Sequence, residues 1–198
     1  MFIVLTLALL ATADAASRTC HGDLNSLHPK GQSNGGVAAS NRDAQHDLPY
    51  LEKHRSCYQQ AADHNCIQAS VIAALASRES RGGSLLESTG GYGDPGAAWG
   101  ILQCDIRHSG LNCKSCDWDS CCHINMMVRD LLVPYINQVH RKHPSWTSAQ
   151  TLQGGVAAYN FGVSNVQSWD RLDIGSTHND YSGDVIARAQ YLYKHGWN

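Results

Sequence analysis

Residues 68–83 read QASVIAALASRESRGG, and this stretch decides the fold class. Alanine has the highest helix propensity, so the composition predicts a helix that ends near Ser80, before a pair of glycines. Ile72, Leu75 and Glu79 fall at positions i, i+3 and i+7, which lie on one stripe of a helix. The stretch therefore predicts a core helix that carries a carboxyl group on its apolar side, close to its C-terminal end.

The position of Glu79 favours a protonated carboxyl group. The partial negative charge at a helix C-terminus and removal from water both raise the pKa of an acid. Cleavage of a glycosidic bond usually needs one protonated carboxyl group and one ionised one. Asp94, in a turn before Pro95, and Asp105, directly after Cys104, lie in polar loops where a carboxylate stays ionised. Either aspartate is a candidate for the base.

Each of these residues also has an ordinary structural interpretation. Most carboxylates are solvated surface charges or helix caps, and an aspartate in a Gly-Asp-Pro-Gly turn is usually a turn former. Aromatic side chains near helices more often pack in the core than bind sugars. This applies to Tyr92, Trp99, Tyr159 and Tyr181.

Helical patterns occur on both sides of this stretch. Residues 43–62 predict one helix, or two short helices broken near Pro49. Residues 127–139 carry an apolar stripe that predicts a helix kinked by Pro134, because its ring clashes with the carbonyl group four residues earlier. Both patterns favour a mainly α architecture.

Capping signals mark two further helices in the C-terminal third. Thr147, followed three residues later by Gln150, forms a capping-box pattern. Asp180 is the predicted N-cap of the last helix, which Gly196 should end. The glycine-rich residues 90–100 instead predict turns or a short hairpin.

The first fifteen residues, Met1 to Ala15, have the pattern of a secretory signal peptide. Residues 2–11 are almost wholly apolar, and Ala13 and Ala15 supply the small pair that signal peptidase reads. The run is too short to span a bilayer, which takes roughly 20 apolar residues. We expect a secreted protein that begins at Ala16 and does not insert into membranes.

The remaining 183 residues, 198 minus 15, suit a single domain. Residues 16–40 are poor in large apolar side chains and predict an N-terminal arm held by Cys20, ahead of a catalytic domain at 41–198. The formal net charge of the whole chain is −2, which gives no strong electrostatic basis for binding nucleic acid.

Eight cysteines in an exported chain favour disulfides, because extracellular thiols are not kept reduced. A zinc site is the alternative, since Cys-x-x-Cys is a known metal spacing. Only four residues separate that pair from the next cysteine, however, and export favours oxidation. We therefore expect disulfides and no metal at the cluster formed by Cys113, Cys116, Cys121 and Cys122, with His123 or His108 nearby.

Several separated motifs, in the same order and spacing, resemble those of goose-type lysozymes. These glycoside hydrolases share a family with soluble lytic transglycosylases. The matching segments are SRESRGG at 77–83, GYGD at 91–94, GILQCD at 100–105, QGGVAAYN at 153–160, DIG at 173–175 and DYSGDVIARAQ at 180–190.

The resemblance implies an α+β lysozyme-like fold, in which a helical bundle surrounds a substrate cleft and a small β-hairpin or sheet forms one lip. It implies no metal or organic cofactor, and it implies a disulfide between Cys20 and Cys66. The site residues that it implies are Glu79 as general acid, Asp94 and Asp105 at the attacking water, and Gln103, Tyr159, Asn160 and Tyr181 as sugar contacts.

The sequence departs from the family pattern beside Asp105. Cys104 stands where an apolar residue is usual, and His108 lies one place early. One disulfide of the vertebrate members is missing. If Cys20 pairs with Cys66, the other six cysteines allow 15 pairings, and the sequence does not choose among them.

The function implied by the resemblance is inverting hydrolysis of the β-1,4 bond between N-acetylmuramic acid and N-acetylglucosamine in bacterial peptidoglycan, by a secreted monomer. A lytic transglycosylase is the nearest rival, but that reaction needs no water-activating aspartate. A non-catalytic peptidoglycan-binding protein is a third possibility, and the presence of Glu79 argues against it.

Overall fold

The computed structural model describes residues 20–198 of the chain. The predicted leader at 1–15 lies outside the described residues. Within the described part, none of the helices combines the length and the apolar character needed to cross a membrane.

Helices dominate the described part of the chain, which confirms the prediction of a mainly α fold. Short 3₁₀ turns connect many of them. The α-helices are α1 (Gly36–Leu51), α2 (Arg55–Asn65), α3 (Ala69–Ser80), α4 (Cys121–Met127), α5 (Val133–Lys142), α6 (Ser148–Phe161) and α7 (Tyr181–Lys194).

Helix α3 forms the centre of the molecule, as its alanine-rich sequence predicts. Ile72 and Leu75 are completely buried, and α7, α1 and α2 all pack against α3. The small alanine side chains let these neighbours approach closely. The helix ends at Ser80 because Arg81 adopts a left-handed conformation with φ 51°, followed by two glycines.

A small antiparallel sheet stands beside the bundle, as expected for the lip of a cleft. Its strands are β1 (Tyr92–Gly93), β2 (Ala98–Trp99) and β3 (Cys104–Asp105), in the order β1-β2-β3. Gly93 pairs with Ala98, and Ala98 pairs in turn with Asp105. The register therefore places both candidate bases at the same end of the sheet, since Asp94 directly follows β1.

The first helix begins earlier than its pattern predicts. Helix α1 starts at Gly36 rather than near Asp43, and Pro49 lies inside its last turn. A 3₁₀ turn at Glu52–His54 then separates α1 from α2. The break therefore follows Pro49 by a few residues, and of the two predicted arrangements, one helix or two, the structure has two, with shifted bounds.

In place of a simple kink at Pro134, the helix has a π-helical turn just before the proline. Residues Val128–Leu132 form a π-helical turn between α4 and α5. Pro134 then lies in the first turn of α5, where its missing N–H group needs no partner within the helix. The extra residue of the π turn removes the steric conflict that the proline ring would otherwise cause.

The two predicted caps have different outcomes. Thr147 and Gln150 form both hydrogen bonds of a capping box at α6, which confirms that prediction. Asp180 occupies the N-cap position of α7, but its side chain makes no capping hydrogen bond, so that part of the prediction is wrong. Asp173 supplies the cap instead, because its carboxylate accepts hydrogen bonds from the backbone of Ser182 and Gly183.

The N-terminal segment packs against the bundle although it holds few large apolar residues. Leu24 and Leu27 are buried in the main core. Gln68 accepts a hydrogen bond from the Leu24 backbone, and Gln190 donates to the carbonyl groups of both leucines. Glutamine side chains thus satisfy backbone groups of a segment whose regular structure at this point is one short 3₁₀ turn, Leu24–Ser26. The division at residue 40 into an arm and a catalytic domain stays a prediction.

All eight cysteines lie in the described part of the chain and form disulfides. The pairing that the sequence left open joins the cluster to the bundle and to the sheet. The bonds are Cys20–Cys66, Cys57–Cys121, Cys104–Cys113 and Cys116–Cys122. Among residues 20–198, no group of three or more His, Cys, Asp or Glu side chains is arranged to hold a metal ion.

Candidate active site

Glu79 lies in the last turn of α3 and is half-buried. The hydroxyl group of Tyr181, from the first turn of α7, donates a hydrogen bond to its Oε1 atom. The Tyr181 side chain is itself almost fully buried. Two helices that are distant in sequence therefore meet at this carboxyl group, and the tyrosine fixes its position.

The surroundings of Glu79 favour the protonated form. Burial raises the pKa of its carboxyl group to about 7, although the Tyr181 hydrogen bond and the positive charge of Arg78 act in the opposite direction. A carboxyl group with this pKa still holds its proton through the mildly acidic range. Glu79 can therefore donate a proton where an ordinary glutamate cannot.

Replacing Tyr181 by Phe tests this arrangement. The hydrogen bond from the hydroxyl group lowers the pKa of Glu79, so its loss should raise that pKa and move the basic limb of the activity profile to higher pH. Loss of one hydrogen bond should also lower kcat by roughly three- to tenfold. The measurement is kcat against pH, with Tyr193→Phe on the same helix as the control. An unchanged basic limb would contradict this account.

The two candidate bases lie on the sheet side of the site, in polar settings. Asp105 ends β3, and its carboxylate accepts hydrogen bonds from the backbone of Arg107 and His108 and from the His108 ring, at 2.8, 3.0 and 3.0 Å. Asp94 follows β1 and lies 3.8 Å from the guanidinium group of Arg107. Arg107 thus connects the two loops that carry the aspartates.

The environment of Asp105 favours its ionised form. Partial burial acts to raise the pKa of this carboxyl group, but the hydrogen bonds from Arg107 and His108 outweigh that effect and lower it. About half of the Asp105 side chain is exposed. Below about pH 7 these settings favour a protonated acid at Glu79 and an ionised carboxylate at Asp105, which is the division of roles that glycoside hydrolysis requires.

Gln103 is held tightly against the sheet. Its amide group donates to the carbonyl oxygen of Gly100, and it lies so close to Gly93 that a Cβ atom there would stand 1.8 Å from its Oε1 atom. Gly93 is therefore needed for close approach. Gln103 and Asp94 both have left-handed backbones, with φ 48° and 41°. Such strain in non-glycine residues is concentrated at functional sites.

Tyr159 and Asn160, at the end of α6, have different surroundings. The Tyr159 hydroxyl group donates to the carbonyl oxygen of Leu102 at 2.6 Å, and the charge of Glu79 contributes, after burial, to raising its pKa. Asn160 instead bonds to Thr177, accepting from its backbone at 2.9 Å and donating to its hydroxyl group at 3.1 Å. Tyr159 therefore lies beside the acid, whereas Asn160 anchors the loop before α7.

The Cys104–Cys113 disulfide closes a small ring around Asp105. The ring contains this aspartate together with Arg107 and His108, which hold its carboxylate. The usual apolar residue at position 104 is thus replaced by a covalent link, and the Asp105 loop is held at both ends.

Opening this ring should reduce activity more than it reduces stability. In the double variant Cys104→Ser/Cys113→Ser, we expect kcat/KM to fall about tenfold, or ~1.4 kcal/mol in the activation free energy. A short disulfide ring constrains the unfolded chain only modestly, so Tm should change little. The matched control is Cys116→Ser/Cys122→Ser, which opens another short ring. Equal losses in both variants would contradict a specific role for the first ring.

Sequence reasoning missed three residues of the site. Burial and, after it, the charge of Asp105 raise the pKa of Tyr135 on α5, and Tyr135 contributes in turn to raising the pKa of Tyr159. His123 is fully buried behind Gly100, and burial lowers its pKa to about 4. The third residue is Arg78. Arg78 adjoins Glu79 in the sequence, but its partners Asp184 and Thr177 are about 100 residues later, which concealed its role.

Cavity size does not identify this site. A cavity of about 740 Å³ lies between residues 28–36 and the loop at 169–183, and one of about 460 Å³ lies beside Arg78. Glu79 lines neither of them. The perturbed carboxyl group and the polar residues around it are the better indication of chemistry.

The comparisons with known proteins agree with this geometry. The family model described as Lysozyme g matches residues 12–196 of the chain. The chain belongs to the lysozyme g family. It is similar to the lysozyme g of Struthio camelus, with 36% identity across all of this chain and 98% of the relative. It is also similar to that of Gallus gallus, with 41% identity across 85% of this chain and 77% of the relative.

A longer relative is more similar still. A protein of Lottia gigantea named "Glycine, glutamate and proline-rich protein" is 52% identical over 92% of this chain. The chain spans 46% of the length of that relative. The similarity to the Lottia protein therefore covers nearly all of this chain but only about half of that protein.

Proposed function

We propose that the chain is a muramidase that hydrolyses the β-1,4 bond between N-acetylmuramic acid and N-acetylglucosamine in bacterial peptidoglycan. The observation that carries this proposal is the setting of Glu79, a carboxyl group with its pKa raised to about 7 at the end of a buried helix. The opposite electrostatic setting of Asp105 and membership of the lysozyme g family support the same function.

In the proposed reaction, Glu79 gives its proton to the glycosidic oxygen as the bond from that oxygen to C1 breaks. Asp105, Asp94 or both accept a proton from a water molecule as its oxygen bonds to C1 from the opposite face. The products are a reducing sugar and a free hydroxyl group. Proton transfer from the aspartate to Glu79 through solvent then restores the starting state.

Four residues are proposed to contact the glycan strand beside these carboxyl groups. Tyr159 and Tyr181 also surround Glu79, so the sugar that they contact lies next to the acid. Gln103 is fixed against the sheet, and Asn160, at the end of α6, bonds to the loop before α7. The proposed contact residues are therefore Gln103, Tyr159, Asn160 and Tyr181.

We further propose that the enzyme is secreted and acts as a monomer. The four disulfides support an extracellular location, since such bonds persist in oxidising compartments. The predicted leader at 1–15 gives a route to export. All of the proposed catalytic and sugar-contacting residues belong to one chain, so no partner subunit is needed to complete the site.

Mass spectrometry of the fragments released from purified peptidoglycan tests the function. Hydrolysis gives fragments with reducing ends, whereas a lytic transglycosylase gives 1,6-anhydro ends that are lighter by one water molecule. We expect reducing ends, with no release by a Glu79→Gln control. Anhydro products would contradict hydrolysis, and the absence of fragments from the wild-type chain would contradict any lytic activity.

A further inference from the structure

Arg78, the residue before Glu79, joins three separate parts of the site. Its side chain is only 12% exposed. Its guanidinium group forms an ion pair with Asp184 and donates to Asp180 at 3.1 Å and to the carbonyl oxygen of Thr177 at 3.3 Å. These contacts attach the last turn of α3 to the first turn of α7 and to the loop before it.

The partners of Arg78 are attached directly to proposed substrate contacts. Thr177 bonds to Asn160 through both its backbone N–H group and its hydroxyl group. Asp180 immediately precedes Tyr181, and the Arg78 guanidinium carbon lies 5.5 Å from the centre of the Tyr181 ring. The same guanidinium group therefore contacts Tyr181, which binds Glu79, and is linked to Asn160 through Thr177.

A buried network of ionic partners holds Arg78 in place. Asp184 is completely buried and also binds Arg188, which in turn bonds to Asp43 on α1. His178 completes the surroundings, with its Nδ1 atom 3.5 Å from the Arg78 side chain. A planar guanidinium group makes several hydrogen bonds in fixed directions, which a lysine ammonium group does not.

Glu79 is surrounded by few other titratable groups. Tyr181 approaches it from α7, Tyr159 from α6, and Arg78 is the cation whose charge favours its ionised form. Arg78 therefore affects the acid in two ways: its charge acts on the carboxyl group, and its hydrogen bonds act on the position of Tyr181 and Asn160.

We propose that Arg78 is a positioning residue for the lytic reaction, which holds Glu79, Tyr181 and Asn160 in one arrangement through the fork of its guanidinium group. This inference rests on the proposed function. It adds a residue that does not itself touch the reacting atoms in the proposed reaction, and it makes the geometry of the guanidinium group as important as its charge.

The variants Arg78→Lys and Arg78→Gln separate geometry from charge. Lysine keeps the positive charge but lacks the planar guanidinium group that donates several hydrogen bonds at once. We therefore expect kcat to fall about tenfold or more while the basic limb of the pH profile stays in place. Glutamine loses both, so kcat should fall at least as far and the basic limb should move to higher pH. The matched control is Arg81→Gln, on the exposed side of the same segment, which should keep wild-type kcat.

Circular dichroism shows whether the Arg78 variants fold. If they do not, a second variant keeps the proposal testable. Asp180→Asn removes one negative partner of Arg78 and leaves Asp184 in place. The less neutralised guanidinium group should then favour ionised Glu79, so the basic limb should move to lower pH, opposite to the shift in Arg78→Gln.

Two results would overturn the proposal. One is a kcat in folded Arg78→Lys and Arg78→Gln that stays within twofold of the wild-type value. The other, if those variants do not fold, is an unmoved basic limb in Asp180→Asn. Failure of the proposed function is a different result, because the wild-type chain itself would then release no reducing ends from peptidoglycan.

Discussion

Replacing Glu79 by Gln is expected to lower kcat for peptidoglycan hydrolysis by about 10³-fold or more while the fold stays intact. Glutamine keeps the shape of the side chain but cannot donate an acidic proton, and a positioned general acid contributes roughly 10²–10⁴-fold to a rate. Lysis of cell walls and release of reducing ends are the measurements. Glu87→Gln is the matched control, since Glu87 is a glutamate on the surface.

The same variant should be more stable than the wild-type chain at alkaline pH. The pKa of Glu79 is about 7 in the folded chain, above its value in the unfolded chain, so ionisation costs stability as pH rises toward and past 7. At one pKa unit per 1.36 kcal/mol, the gain in Glu79→Gln is at most about 3 kcal/mol at pH 8 and vanishes below about pH 4. Urea unfolding at both pH values measures it.

Two outcomes would contradict this account of Glu79. Near wild-type lysis by Glu79→Gln would mean that another group is the acid. An equal effect on stability at pH 4 and pH 8 would mean that the carboxyl group is not desolvated in the folded chain. The Glu87→Gln control excludes a general effect of removing a negative charge.

Replacing Asp94 and Asp105 together by Asn should cost far more activity than either change alone. Arg107 connects the two carboxylates, and the sheet register places them at the same end, which supports the proposal that they share the water molecule. We expect each single variant to lose about tenfold in kcat and the double variant about 10³-fold, because in each single variant the remaining aspartate compensates and the effects are then not additive.

The control for these variants is Asp117→Asn, which removes a carboxylate from an exposed loop position. A double variant that merely multiplies the two single losses would mean that the aspartates act independently. Asp105→Asn should also shift the acidic limb of the profile, because hydrogen bonds lower the pKa of that carboxyl group.

The stereochemistry of the product reports on the same pair of aspartates. An inverting enzyme needs room for water between its carboxyl groups, which are then about 6.5–9.5 Å apart, against about 5–5.5 Å in a retaining one. We expect the newly released sugar to be the α-anomer. Proton NMR before mutarotation decides this, and an initial β-anomer would exclude water activation by either aspartate.

Sequence alone predicted the parts of the structure that depend on local patterns. Helix α3 follows from the alanine-rich stretch and its glycine stop, and the capping box at Thr147 follows from side chains three residues apart. The apolar stripe formed by Ile72 and Leu75 also indicated that the carboxyl group of Glu79 would have a raised pKa. Each of these features is determined within a few residues.

The features that sequence missed depend on contacts between distant segments. Asp180 does not cap α7, because Arg78 and the Ser33 backbone, both far away in sequence, bind its carboxylate. Asp173 supplies the cap after the chain turns back on itself. The role of Arg78 was equally hidden, although it lies within the motif around Glu79, because its partners are about 100 residues later.

Direct titration of Glu79 tests the central claim, that a half-buried glutamate with a raised pKa holds the catalytic proton. The chain contains only three glutamates, Glu52, Glu79 and Glu87, so selective ¹³C labelling of glutamate carboxyl groups gives a simple NMR spectrum. The signal that disappears in Glu79→Gln identifies the residue. The account predicts a midpoint of about 7 for that signal. A midpoint near 4.3, the ordinary value for glutamate, would contradict it.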